Sequence, residues 1–294
     1  MNQIIYRSIQ ESEIEEATAL FIRSVTDLMQ RNKLPVPPFT VENRLPLYEH
    51  IFRTGQFEIA EQDGKIVAIA NGLLRGDVWF LSGFWALPEI QKNKIGKPLL
   101  QRIWKKAQNL GARTAFTWSS IDFAAIGSYL KMGMMPITQL LTFSGKPDIS
   151  SFSKSSTDAN FKLQPIQGNF VHDLDKKIRG ATREVDHAFW YENGAQGYQI
   201  HLEAGAVGYF YIQNGVIGPV AWSEQKYATG ILKTVLDQAA NSSNEVRITI
   251  PGSCHEAIQM ALANDLKLTA MAHLMATACF GLHNQYLPSG PLLY

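Results

Sequence analysis

The chain has 294 residues, 46% of them hydrophobic and 18% charged, with 27 lysines and arginines against 26 aspartates and glutamates. That length exceeds one small core and suits two domains of about 150 residues each; a formal net charge of +1 argues against a general nucleic-acid binder, which would carry a basic stripe. Cys254 and Cys279 are too few for a disulfide framework, no run approaches ~18 apolar residues, and Met1–Arg7 lacks the features of a secretory leader, so a soluble cytoplasmic protein with no membrane partner is expected.

Ile4 to Ser8 reads as a short strand. Ser12 followed by Glu15 fits a capping box, and Ile14, Ala17, Leu20, Phe21, Val25 and Leu28 recur at helical spacing. Pro35, Pro37 and Pro38 end that helix, and a second covers Val41 to Phe52. Phe57 to Glu61 and Lys65 to Leu73 flank Asp63-Gly64, a hairpin signal. Val78 to Ala86 reads as another strand. A helix starting near Gly96 presents Leu99, Leu100, Ile103, Trp104 and Ala107 on one face. Thr114 to Trp118, Ala124 to Lys131 and Ile137 to Phe143 then read as strand, helix and closing strand. A meander followed by strand–helix–strand–helix implies an α/β fold with a mixed sheet, parallel in its second part.

The Ser-, Gly- and Pro-rich stretch from Ser144 to Asp158 has little to bury and marks a linker. The expected domains are therefore 1–145 and 161–294, joined by 146–160. The second half repeats the element order. Tyr198 to Leu202 and Ala206 to Gln213 flank Gly205 as the first hairpin flanks Gly64, at an offset of 141. From Gly83 and Gly215 onward an offset of 132 aligns Leu100 with Leu232, Ile103 with Val235 and Ala107 with Ala239. The chain reads as a divergent duplication.

Two stretches carry chemistry. Gln91-Lys92-Asn93-Lys94-Ile95-Gly96-Lys97 joins a strand end to a helix start, where unpaired N–H groups and a partial positive charge suit a pyrophosphate; on these residues alone an ordinary turn with solvated lysines is the favoured reading. Asp122 to Met134 is the second. Together they resemble the GNAT superfamily of acyl-CoA-dependent N-acyltransferases. Gln91 and Gly96 match the ends of its Gln/Arg-x-x-Gly-x-Gly/Ala motif, with Lys94 where a glycine is usual. Ala125, Tyr129 and Gly133 meet its Asn-x-x-Ala-x-x-x-Tyr-x-x-x-Gly-Phe motif, with Asp122 and Met134 replacing the Asn and Phe.

The resemblance implies two tandem domains, each a mixed, mostly antiparallel sheet with a splayed parallel strand pair flanked by helices. It implies acetyl-CoA as cosubstrate and a primary amine as acceptor, and a second domain able to enclose a pocket favours a small metabolite over a protein lysine. Backbone groups from Lys92 to Lys97 would hold the diphosphate, with Gln91 and Asp122 at the same site. Trp85, Ala86 and Leu87 would pair with the pantetheine amides like an added strand. Tyr129 would act as general acid on the departing thiolate, since a phenol of pKa about 10 stays protonated at neutral pH. No general base stands out; Glu58, Asp77 and His187 are the groups available. A non-catalytic acyl-CoA sensor or scaffold is the alternative.

At offset 132 the second half places Ser223 on Gln91, Ala228 on Gly96, Ala261 on Tyr129 and Asp265 on Gly133, with Glu224 in place of Lys92. A carboxylate there repels phosphate, so the second domain is expected to lack a working CoA site. Cys254 beside His255 carries no nucleophile signal, because sequence neighbours at a helix start point apart. The His and Cys residues show no metal-ligand spacing. The apolar end of the tail, Leu292-Leu293-Tyr294, is expected to dock on the sheet.

Overall fold

A computed structural model describes residues 3–91, 94–148 and 161–294. They fall into two compact units, Met1–Thr117 with Asp122–Gly133, and Trp118–Ile121 with Met134–Tyr294. Most of the expected linker, 149–160, lies outside the described residues. Among those described, no helix is long and apolar enough to cross a membrane.

The first unit contains β1 (Ile4–Ser8), α1 (Ile14–Arg31), α2 (Val41–Thr54), β2 (Gln56–Gln62), β3 (Lys65–Arg75), β4 (Val78–Ala86), α3 (Gly96–Asn109), β5 (Thr114–Ser119) as far as Thr117, and α4 (Phe123–Lys131). The strands β1 to β4 pair antiparallel in chain order, and β5 joins β4 in parallel. α1 buries Leu20, Phe21, Val25 and Leu28, and α3 buries Leu99, Leu100, Ile103 and Ala107, the stripes that the apolar spacing predicts. The capping box belongs not to Ser12 and Glu15 but to Gln10 and Glu13, whose carboxylate accepts the Gln10 N–H at 2.8 Å. A short 3₁₀ turn, Glu11–Glu13, precedes the α-helix and moves the start by two residues.

Opposite residues across β3 and β4 run Asn71↔Gly83 and then Gly72↔Leu81, which leaves Ser82 as a bulge. Its effect is visible in side-chain direction. Trp79 packs on Trp104 of α3, with ring centroids 5.3 Å apart, and Phe84 also meets α3, at Gly96. An odd and an even residue of one strand share a face only because one residue between them is extra.

The second unit contains β6 (Met135–Gly145), β7 (Lys162–Pro165), α5 (Phe170–Arg179), α6 (Glu184–Glu192), β8 (Gln196–Leu202), β9 (Gly205–Gln213), β10 (Val216–Trp222), α7 (Ala228–Ser242), β11 (Val246–Pro251), α8 (His255–Ala263), β12 (Lys267–Ala276) and β13 (Tyr286–Leu287). Its strand order is β12-β6-β11-β10-β9-β8-β7. β6, expected to close the first domain, pairs antiparallel with β11 and β12 instead. The N-terminal boundary of this compact unit thus precedes β6 rather than following residue 145. The offset of 132 holds for α7, β11 and α8 against α3, β5 and α4. The hairpin offset is 140, since Gln62↔Lys65 answers Leu202↔Gly205. Gly215 does not match Gly83: it sits in the turn before β10, with φ 75°.

Candidate active site

β4 and β5 pair from Val78↔Thr114 to Leu81↔Thr117, and β4 then continues past its bulge along β3 alone as far as Ala68↔Ala86. Leu87 donates its N–H to the Val67 carbonyl at 3.0 Å. By the alternation of an antiparallel strand, Trp85 and Leu87 direct their backbone groups to β3, whereas Phe84 and Ala86 direct theirs to the edge that β5 has left. The Ala86 carbonyl is already engaged, accepting from the Ser24 hydroxyl and from Gln91 Nε2, each at 3.1 Å. Of the three residues expected to meet a pantetheine arm, two are committed to β3 and the third is capped at its carbonyl. Phe84, absent from the sequence reading, offers the fork edge.

The turn below α3 begins with a 3₁₀ segment, Pro88–Ile90. Gln91 is an internal brace: its amide nitrogen holds Ala86, and its oxygen accepts from Arg31 at 3.3 Å. Lys92 and Asn93 lie outside the described residues. Lys94 adopts φ 62°, the left-handed region, where a glycine is unstrained. Ile95 is buried, and its carbonyl accepts from the Tyr6 hydroxyl at 3.2 Å, tying the turn to β1. No side chain caps α3, whereas Thr40 caps α2 and Asp122 caps α4. Lys94 and Lys97 are exposed beside that uncapped end.

Asp122 accepts the N–H groups of Ala124 and Ala125 at 2.8 and 3.0 Å and lies 3.9 Å from Arg31, so its role is to start α4. About two turns later α4 delivers Tyr129, 6% exposed, with its ring centroid 6.3 Å from that of Phe84. Its hydroxyl lies within reach of the Thr117 hydroxyl, which itself donates to the Leu81 carbonyl at 3.0 Å. Leu81 and Thr117 form the last pair before the strands part, which sets the phenol at the vertex of the fork. Burial raises the Tyr129 pKa, the Asp122 carboxylate raises it further, and the nearby Thr117 hydroxyl opposes both.

The available bases are placed elsewhere. Glu58 faces α3, fully buried and paired with Arg102 at 2.5 Å and Lys106 at 2.8 Å. Burial works to raise its pKa, but these cations and the Ser8 hydroxyl outweigh that and hold it below the usual range. Asp77 is exposed in the β3–β4 turn, at the end of β4 away from the fork. His187 belongs to the second unit, where its ring nitrogens lie 2.9 Å from Asp175 and 2.9 Å from the Tyr211 hydroxyl. Burial lowers its pKa against the opposing Asp175 carboxylate, and Arg183, itself fully buried, pairs with Asp175 at 2.6 Å. Among the described residues, no group of His, Cys, Asp and Glu could hold a metal ion.

Residues 23–134 match the Acetyltransferase (GNAT) family. Over this stretch the chain is similar to GNAT domains. A proposed acetyltransferase from Pyrococcus horikoshii shares the fold with a TM-score of 0.77 at 16% identity, over 99% of this chain and 96% of that one. A GCN5-related N-acetyltransferase from Sphaerobacter thermophilus aligns with a TM-score of 0.65 at 12% identity, over 96% and 98%. A tandem GNAT protein from the clavulanic acid biosynthesis pathway gives 0.62 at 13%, over 93% and 98%. At these identities the likeness is one of fold. No curated protein matches the chain.

The element order of the first unit recurs in the second, but its fork is filled. β10 pairs in parallel with β11 only at Val216↔Arg247 and Ile217↔Ile248. It too is irregular, between Ile217 and Val220. Past that point Val220↔Leu287 and Ala221↔Tyr286 pair antiparallel with β13. The segment Tyr286–Leu287 therefore supplies an added strand at the edge of β10 that β11 leaves. Asp265 takes φ 59° where Gly133 takes 85°, confirming that the two helix ends correspond. Ala261 stands at the Tyr129 position, Glu224 pairs with Lys226 at 2.9 Å, and burial pushes the Cys254 thiol up to about 12, far from a reactive thiolate. The tail docks as its composition suggests, with Tyr294 buried and its carbonyl accepting from Arg179 and Arg183.

Proposed function

We propose that the chain is an N-acetyltransferase that moves the acetyl group of acetyl-CoA to a primary amine by direct attack, using the N-terminal fork. The observation that carries this is Tyr129, a buried phenol within reach of Thr117, a residue of the last β4–β5 pair. The diphosphate would sit on the uncapped end of α3, around Ile95, Gly96 and Lys97, with Lys94 and Lys97 supplying charge. The pantetheine amides would pair along the Phe84 edge. The amine nitrogen bonds to the thioester carbonyl carbon, and the carbon–sulfur bond breaks. One amine proton passes to water, and Tyr129 gives its proton to the departing thiolate before recovering one from solvent. A chain with almost no net charge has no pull toward charged macromolecular surfaces, which favours a small cytoplasmic metabolite over a protein lysine.

Acetyl-CoA at about 100 times its Kd should raise stability by roughly 2.7 kcal/mol, and Tyr129→Phe should keep that shift while lowering kcat about 100-fold or more. Absence of the shift would sink the proposal. The positions of Glu58 and Asp77 favour a second reading, a non-catalytic acyl-CoA sensor. Under it the cosubstrate binds, every amine is inert and Tyr129→Phe changes nothing.

A further inference from the structure

We infer that the acceptor is an amine that also carries a carboxylate, an amino acid by chemical class, recognised by Arg44, Tyr48 and Asn71. This rests on the acetyltransferase reading above and deepens it to the second substrate.

Phe57, Asn71 and Gly83 stand opposite one another across β2, β3 and β4, and Ile59, Ile69 and Trp85 form the neighbouring row. Trp79 and Phe84 point to α3, so these two rows occupy the other face. Phe21 of α1 packs there against Tyr48 and Trp85, at centroid distances of 5.4 and 5.3 Å. In this otherwise apolar layer four polar atoms have no hydrogen-bond partner: both ends of the Asn71 amide, the Tyr48 hydroxyl and the Trp85 indole nitrogen. Asn71 and Tyr48 are each 0% exposed. The Tyr48 hydroxyl is within reach of the Asn71 amide, yet the two make no hydrogen bond of acceptable geometry. Buried polar groups are rarely left so, and a polar ligand would satisfy all of them.

The position of the amide is informative. It leans over Gly83, where a Cβ would come within 2.9 Å of Asn71 Oδ1, and Gly83 is the first residue past the Ser82 bulge at the fork. An amine held by Asn71 Oδ1 would therefore stand beside the edge proposed for the thioester.

Arg44 supplies the charge. It lies one turn before Tyr48 on α2, with its guanidinium carbon 4.4 Å from the Phe39 ring centroid. Its Nε donates to Asn43 at 3.0 Å, and among the described residues it has no carboxylate partner. The six residues of the two rows include no acid, and Glu58 on the same strand faces α3. A polyamine would find nothing to neutralise its second charge, whereas a carboxylate would meet a planar, half-buried cation.

The test is calorimetric titration of the full chain saturated with CoA, which cannot transfer an acyl group. The titrants are phenylalanine, tryptophan and lysine against phenethylamine, tryptamine and cadaverine, which lack the carboxylate. At least one amino acid should bind tenfold or more tightly than its amine. Arg44→Ala should lose that tenfold, Arg44→Lys should recover part of it, and Arg53→Ala, an exposed arginine of the same helix paired with Glu49, should change nothing. Asn71→Ala should weaken amino acid and amine alike; because Asn71 is buried, the half-exposed Arg44 carries the decision if that variant fails to fold. Equal or tighter binding of the amines, no amino-acid binding to the CoA complex, or an indifferent Arg44→Ala overturns the inference. Failure of CoA itself to bind overturns the reading beneath it as well.

Discussion

Phe84 occupies the space that a side chain at Gly96 would need, its Cζ lying 2.8 Å from where a Cβ would be. The glycine at the start of α3 is thus required by strand-to-helix packing, in addition to any close approach by a phosphate. Gly96→Ala should push α3 off β4, costing about 1–3 kcal/mol by overpacking, and should weaken acetyl-CoA binding at least tenfold. Chemical denaturation with and without acetyl-CoA measures both.

Lys94 holds a left-handed backbone that costs a side-chain-bearing residue about 1–2 kcal/mol. Lys94→Gly relieves that strain but adds freedom to the unfolded chain, so a net gain below about 1 kcal/mol is expected. Loss of the ammonium should steepen the dependence on the remaining cations. A fall in acetyl-CoA affinity that is larger in dilute salt than at 0.5 M would show that the lysine acts through charge.

Tyr129 has its pKa raised by burial, so the phenol stays protonated through and beyond the ordinary range of a free tyrosine. The rate profile of the wild type should therefore show no falling basic limb attributable to this group up to pH 10. A decline with an apparent pKa of 8–9 that disappears in Tyr129→Phe would contradict this placement.

Acid should weaken the second unit in a defined window. Burial pushes His283 down to about 4, below the free value near 6.5, and His187 is lowered for the same reason. The folded state then favours the neutral rings. Their contribution is complete above pH 6.5 and is lost as pH falls toward 4, because only the unfolded chain binds the protons. Asp175 is held far below its ordinary range, with the Arg183 guanidinium outweighing its burial, and adds a loss of the same sign at still lower pH. Denaturation midpoints measured from pH 7.5 to 4 should fall, and His283→Asn should flatten the part between 6.5 and 4.

Much of this was readable from residue order. The apolar stripe of α3 and the distance from Gly96 to Tyr129 gave helix, turn and phenol together, and the repeat of that spacing 132 residues later located α7, β11 and α8. What could not be read was long-range. The alternation in Met135–Gly145 says strand but does not choose its partners, so its place between β11 and β12 was hidden. Ser82 carries no bulge signature, so the change of face that brings Phe84 to the fork could not be anticipated. The pairing of Gly215 with Gly83 went astray because a glycine in a turn and a glycine in a strand look alike in a string of letters. Asn71 and Tyr48 belong to different elements, and their juxtaposition exists only after β3 and α2 have packed.

The short strand Tyr286–Leu287 gives the duplicated half something that its counterpart lacks: a fork edge satisfied by covalently attached backbone. A segment tethered to the same polypeptide competes at an effective concentration that a freely diffusing cosubstrate cannot match. Titration should accordingly saturate at one CoA per polypeptide. Loss of Tyr286–Tyr294 would strand the Val220 and Ala221 edge and the two arginines that hold Tyr294, so in this half nine residues have passed from ornament to keystone.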